Sequence, residues 1–251
     1  MQGHVFSDEA LCPACAEKQG SLVFTDTTWN RDVFQCNICD ATYIWPPVEQ
    51  DFKNIPAPNI NFDSADDAPA IFIFSFILNE GRKSILGHES HDQKPSIMDV
   101  GCGDGHILAY FKERGWNVQG IDPQIEATAA GRRHYGIPIE TARVEYAHVE
   151  PDSQDVVLSI DVLQFIGKPH DFLKACLRAM KPGGLIYLTV PNFGSAESRR
   201  DGWTWQNFLP WCYLNYFTEE TVRRLLENAG FFRTKVTPFG GPEDDSLLRV
   251  V

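Results

Sequence analysis

"DVGCGDG", residues Asp99 to Gly105, places three glycines at alternate positions behind the apolar run Ile97-Met98. A main chain bared at that spacing comes close to something: a phosphate, a dinucleotide, or a ligand without phosphate. The dinucleotide fingerprint G-x-G-x-x-G needs a third glycine at 106, where the chain has His106. No Gly-Lys-Ser/Thr follows either, so the phosphate loop of nucleotide hydrolases is absent. What remains is Asp-x-Gly-x-Gly-x-Gly, with Asp122 about twenty residues on, where an acid can accept hydrogen bonds from both hydroxyls of a ribose.

Outward from this loop, apolar strands alternate with amphipathic helices, which predicts an α/β domain with a mostly parallel sheet covered on both faces. "SIMDVG" (96–101) and "NVQGID" (117–122) read as its first two strands, with the helix "HILAYFKERG" between them, ended by Gly115. Pro123 suits the first turn of a following helix, "PQIEATAAGRRHYG". Further strands are expected at "IPIET" (137–141), "DVVLSID" (155–161), "GLIYLTV" (184–190), "FRTKVTPF" and "SLLRVV", which makes seven. The helix "PHDFLKACLRAM" precedes a "KPGG" turn, and Thr218 caps a last helix that Gly230 closes.

The remaining composition narrows the class. The longest apolar run, "APAIFIFSFIL" (68–78), is far shorter than the roughly 20 residues of a membrane span, and the N-terminus has no basic region followed by an apolar stretch, so a cytoplasmic chain with no membrane partner is expected. A net charge of -12 disfavours nucleic acid. Of seven cysteines, four form "CPAC" (Cys12, Cys15) and "CNIC" (Cys36, Cys39). In a reducing compartment, two C-x-x-C knuckles read as a closed tetrahedral zinc site with no open position for catalysis. "SLVFTDTTWNRDVFQC" between them alternates well enough for a short hairpin. The expected organisation is a zinc ribbon (1–50), a proline-rich linker with a partly helical strap (51–94), and the α/β domain (95–251) with an aromatic segment at 191–217.

The succession "DVGCGDG", "GIDP", "DVVLSIDVLQFIGKPHDFLKACLRAMKPGGLIYLTVPN" and "YFTEETVRRLLENAGF" resembles the class I S-adenosylmethionine-dependent methyltransferases over residues 96 to 251. The ribbon is similar to one in a bacterial small-molecule branch related to the ubiquinone-biosynthesis O-methyltransferases. This resemblance implies a Rossmann-like seven-stranded methyltransferase sheet, with S-adenosyl-L-methionine and structural Zn2+ as cofactors. It assigns Asp99, Gly101, Cys102, Gly103 and Gly105 to the methionine side, Asp122 to the ribose, Ile160 and Asp161 to the vicinity of the methionine and sulfonium, and counts Pro123 among the cofactor-binding residues. Relatives often place an acid after the third strand for adenine; this chain has Ala142, so backbone groups near Ala142 and Arg143 are expected to serve.

The acceptor side departs from the family. Gln164-Phe165 stands where Glu-His is frequent, and Tyr213 where a second His is frequent. Histidine-assisted O-methylation is thereby put in doubt, and Tyr213, Asp161 and Tyr216 are the local substitutes for catalysis. Asn192, Trp203, Trp205, Trp211 and Tyr213 are the candidate lining of a small-molecule acceptor site, the aromatics reading equally well as a hydrophobic cap or homodimer surface. An RNA base methyltransferase and a non-catalytic scaffold that binds S-adenosylmethionine are the alternatives.

Overall fold

The computed structural model describes residues 11–47, 68–85, 94–241 and 244–251. Most of the proline-rich linker and both ends of the expected strap lie outside these residues; the strap's middle is the helix α1 (Ala68–Ile85). Among the described residues, no helix is long and apolar enough to cross a membrane.

The larger sheet is seven-stranded. In chain order its strands are β4 (Ser96–Val100), β5 (Asn117–Ile121), β6 (Ile139–Glu140), β7 (Gln154–Ile160), β8 (Met180–Pro191), β10 (Val236–Gly241) and β11 (Asp244–Val250), arranged β10-β11-β8-β7-β4-β5-β6. The β4–β5, β4–β7 and β5–β6 pairs are parallel, whereas β11 runs antiparallel to both β8 and β10. Every residue of β4 is buried, as a parallel strand covered on both faces requires. The third strand is shorter than expected, two residues in place of five, and the KPGG stretch falls inside β8, with Gly183 left-handed at φ 78°.

The chain divides into two compact units. One comprises Asp51–Ile160 and Ala175–Tyr187. Within it α2 (His106–Glu113) buries Leu108 and Phe111, and α1 lays Phe74 edge-on against Phe111 at 5.2 Å. The helix after β5, α3 (Ile125–Tyr135), starts two residues later than expected. Gln124 is its N-cap and Pro123 stays outside it, because Asp122 accepts from the Gln124 N–H at 2.7 Å and holds that turn open.

The other unit comprises Met1–Gln50, Asp161–Lys174 and Leu188–Val251. Here the expected hairpin is present: β1 (Gly20–Asp26) pairs antiparallel with β2 (Arg31–Cys36), and β2 with β3 (Thr42–Trp45). The small sheet takes its fourth strand from far along the chain. β9 (Asn215–Tyr216) pairs with β3 through Thr42↔Tyr216 and Tyr43↔Asn215. Val33 and Ile44 of the ribbon share one apolar cluster with Trp205, Phe208, Leu214 and Tyr216. After α4 (Pro169–Ala179), α5 (Ala196–Asp201) and β9, Thr218 caps α6 (Glu219–Ala229), accepting from the Thr221 N–H, and Gly230 ends the helix at φ 102°.

Candidate functional site

The glycine loop closes on itself through its own backbone. Gly101, Gly103 and Gly105 sit at φ 85°, 55° and 78°, a region that any other residue enters at a cost. The N–H of Gly101 donates to the Ile121 carbonyl at 2.7 Å, and that of Gly105 to the Cys102 carbonyl at 2.8 Å. Asp122 braces the turn, its two carboxylate oxygens accepting from the Gly103 N–H at 2.9 Å and the Gln124 N–H at 2.7 Å. Each oxygen retains a second lone pair for a ligand hydroxyl. Burial pushes the Asp122 carboxyl up, against these two hydrogen bonds.

Asp99 is the electrostatic oddity of this loop. Its side chain is buried, its Oδ1 has no partner among the described residues, and burial, followed by the charge of Asp122, raises its pKa to about 7. Beside Gly103, the space a Cβ would occupy has no atom within 4 Å. A bare, left-handed main chain next to an orphaned buried acceptor fits a ligand with donor groups, and S-adenosylmethionine has them. The Ala142 N–H, expected near adenine, donates to the Asp122 carbonyl at 3.2 Å, and the Arg143 carbonyl accepts from Tyr146 at 3.0 Å. Burial, then the charges of Asp99 and Asp122, keeps the Cys102 thiol protonated.

In the other unit, Asp161 follows β7 directly and occupies the left-handed region at φ 53°. Its N–H donates to the Thr189 carbonyl and hydroxyl, both at 3.1 Å, while the Thr189 hydroxyl donates to Asp161 Oδ1 at 2.9 Å. Desolvation by the surrounding protein raises its carboxyl pKa even though the residue keeps an exposed face, and the Thr189 hydrogen bond offsets part of this. Gln164 Nε2 donates to the Asp161 carbonyl at 2.9 Å. Tyr213 is half-buried: burial raises its phenol, and the side chain of Gln164 beside it pulls the value back. Tyr216 is buried with no partner for its hydroxyl among the described residues, and burial holds that phenol far above the ordinary range.

The candidate lining residues divide by burial. Asn192 is committed to the fold, accepting from the Gly194 N–H at 2.9 Å and donating to the Asp245 carbonyl at 2.8 Å. Trp205 is buried, its indole N–H donating to Glu197 at 3.0 Å. Trp203 and Trp211 are exposed, the former 4.8 Å from Phe24 and the latter 6.0 Å from Trp29, both partners being ribbon aromatics.

The four ribbon cysteines converge. All four Sγ atoms lie within 4.8 Å of one another, with Cys12 and Cys39 at 3.5 Å and Cys15 and Cys36 at 3.6 Å. Four thiolates at tetrahedral zinc, with Zn–S near 2.3 Å, stand about 3.8 Å apart, so the set fits that ion. The hydrogen bond between Cys12 and Cys39 holds the Cys39 thiol down to about 5 and pushes Cys12 up, one sulfur keeping the proton that the other gives away.

Comparison with known proteins follows the same lines. Residues 77–235 match the family described as a methyltransferase domain. The chain belongs to that family. The methyltransferase domain is 31% identical over 102 residues to the ubiquinone biosynthesis O-methyltransferase of Pseudomonas aeruginosa (strain UCBPP-PA14), covering 38% of this chain and 44% of that protein. It is 35% identical over 106 residues to the protein of that name from Idiomarina loihiensis, covering 38% and 42%. The chain thus spans less than half the length of these two relatives. Among solved structures, an S-adenosylmethionine-dependent methyltransferase from Mesorhizobium loti aligns with a TM-score of 0.54 at 19% identity, over 76% of this chain and 98% of that one. One from Archaeoglobus fulgidus gives 0.52 at 18%, over 68% and 73%. The methyltransferase domain therefore has the Rossmann-like fold of S-adenosylmethionine-dependent enzymes.

Three residues around these sites escaped sequence reasoning. Gly131 lies inside α3, where a Cβ would run into the Asp104 carbonyl of the glycine loop. A glycine mid-helix costs about 1 kcal/mol against alanine, and that cost was the available signal of close packing. Thr189, which holds Asp161, and Asn215, which holds the loop at Leu163–Ile166, carried no local signal, because each acts on a segment distant in sequence.

Proposed function

We propose that this chain transfers a methyl group from S-adenosylmethionine to a small-molecule acceptor of the sugar or natural-product class, in the cytoplasm, with a structural zinc ion in its ribbon. The observation that carries the reading is the Asp122-braced glycine loop, which presents bare main chain and leaves lone pairs on a buried carboxylate. The bound cofactor supplies an electrophilic methyl on a sulfonium. Asp99, Gly101, Gly103 and Gly105 would hold its amino-acid part, and Asp122 its ribose.

Methyl transfer from a sulfonium is an in-line displacement, so alignment of the nucleophile carries much of the rate, and a base acts only when that nucleophile loses a proton. Tyr216, with its phenol held protonated by burial, is no base. Asp161 is the better one: its raised carboxyl pKa strengthens it as a proton acceptor, and Thr189 fixes Oδ1. Tyr213, held as a neutral phenol beside Gln164, orients the acceptor by hydrogen bonding. Exposed Trp203 and Trp211 offer apolar faces for acceptor packing.

The test is a thermal-shift comparison of S-adenosylmethionine, S-adenosylhomocysteine and NAD, with zinc content measured on the same sample. At 100 times its dissociation constant a ligand adds about 2.7 kcal/mol, which raises Tm by very roughly 5 °C in a chain this size. Stabilisation by the two sulfur nucleosides and not by NAD is expected; no shift with either removes the cofactor assignment.

A further inference from the structure

The ribbon and the segment proposed to face the acceptor are joined by a continuous set of hydrogen bonds, all within one unit. At the ribbon end, the Ile44 N–H donates to the Leu214 carbonyl at 2.9 Å, next to the β3–β9 pairing. The Leu214 N–H donates onward to the backbone carbonyl of Gln164 at 2.7 Å. From the neighbouring residue, Asn215 Nδ2 donates to the Ile166 carbonyl at 2.8 Å. The Gln164 side chain then completes the path by donating to the Asp161 carbonyl at 2.9 Å. A second tether joins the first cysteine knuckle to α6, where Asn228 Nδ2 donates to the Ala14 carbonyl at 3.0 Å.

Gln164 is the pivot of this path. It is 1% exposed, lies in a 3-10 turn (Leu163–Phe165), and holds Asp161 through its Nε2, while Phe165 of the same turn packs edge-on against Tyr213 at 5.0 Å. The left-handed backbone of Asp161 is held by Thr189, whose carbonyl and hydroxyl both accept from its N–H, and by the Gln164 bond to its carbonyl. A short ribbon buries little on its own, so what the four thiolates bind adds to the order that β3 takes from β9 and the shared apolar cluster.

We propose that Gln164 is a positioning residue that transmits the metal-dependent order of the ribbon to Asp161 and Tyr213, so that zinc occupancy sets the geometry of the acceptor side and leaves the cofactor loop unaffected. The inference rests on the methyltransferase reading only for the word acceptor; the coupling itself is a property of the fold.

The experiment needs no acceptor. On the full chain, hydrogen–deuterium exchange is followed in peptides covering 161–166, 213–217 and 96–106, before and after a chelator removes zinc, with calorimetry of S-adenosylhomocysteine on the same samples. Exchange at least tenfold faster in 161–166 and 213–217 is expected, with 96–106 and the nucleoside affinity unchanged within twofold. Unchanged exchange in 161–166 overturns the coupling, as does a uniform loss of protection that includes 96–106 and absence of bound metal from the purified protein.

The variant Gln164→Met removes the Nε2 donor and keeps the Leu214 bond to the backbone. It should retain its zinc and the protection of residues 20–45, lose protection at 161–164, and shift the Tyr213 ring signals in tyrosine-labelled NMR spectra without moving those of Tyr43. Retained protection at 161–164, or an unmoved Tyr213, overturns the positioning role. Absence of nucleoside binding in the parent chain would instead sink the functional reading and leave the coupling to be judged by exchange alone.

Discussion

Asp122 and Asp161 each follow a strand of the same sheet, yet they are held in opposite ways. Asp122 is fixed within one strand–helix–strand unit, accepting from Gln124 two residues on and from Gly103 in the loop before α2. Asp161 is fixed from a distance: Thr189 holds it through backbone and side chain, and the Gln164 beside it is in turn held by Leu214. Around Asp122, local glycine chemistry specifies the geometry. Around Asp161, the chain of contacts runs through Gln164 to Leu214, which lies beside the pairing of β9 with a ribbon strand more than a hundred residues earlier. One region carries its own instructions, and the other receives them.

The contrast breaks most severely if the ribbon folds with no metal on its four cysteines. Cys36→Ser should abolish zinc content and destabilise residues 11–45 by several kcal/mol, on the order of a fraction of a zinc-finger binding energy. Metal analysis and exchange would check this, and one equivalent of zinc retained in the variant would sink the site.

Asp99 tests the self-contained region. Its folded pKa of about 7 stands above an unfolded value near 3.9, so the native state binds the extra proton between these values. Its contribution is therefore fully present below about pH 4 and is lost as pH rises to about 7, by at most about 1.4 kcal/mol per pH unit. Asp99→Asn should gain on the parent across that window and stop gaining above it; denaturation curves that stay parallel from pH 4.5 to 7.5 would contradict the assignment.

Asp122→Ala removes the acceptor of two loop amides as well as the proposed ribose partner. Affinity for S-adenosylhomocysteine should fall at least tenfold by calorimetry, about 1.4 kcal/mol, and an unchanged dissociation constant would remove the ribose role. The smallest effect is expected at Thr218→Ala, which deletes the cap of α6 and should cost about 1 kcal/mol by denaturant titration while leaving nucleoside affinity alone.

Much of this molecule was legible in order along the chain. The cysteine knuckles, the hairpin between them, the alternate glycines with Asp122, the stop at Gly115 and the cap at Thr218 are local signals, and the structure contains each. The helix after Asp122 begins two residues beyond Pro123, which fits a first turn, because a side-chain acceptor one residue before the proline claims the Gln124 amide. The aromatic segment was legible only as apolar. Nothing in "WTWQNFLPWCYLNYF" tells Trp205, buried against Glu197, from Trp211, exposed beside Trp29.

The sequence by itself determined the two cysteine knuckles, the glycine loop and the α/β alternation, because each depends on spacing within a few residues or on the period of a single element. Only the tertiary structure decided that β9 completes the ribbon sheet, that Leu214 beside this strand donates to the Gln164 carbonyl, and that Gly131 makes room for the Asp104 carbonyl. Those are contacts between segments distant along the chain, and their hydrogen bonds form only where packing brings a donor and an acceptor within about 3 Å.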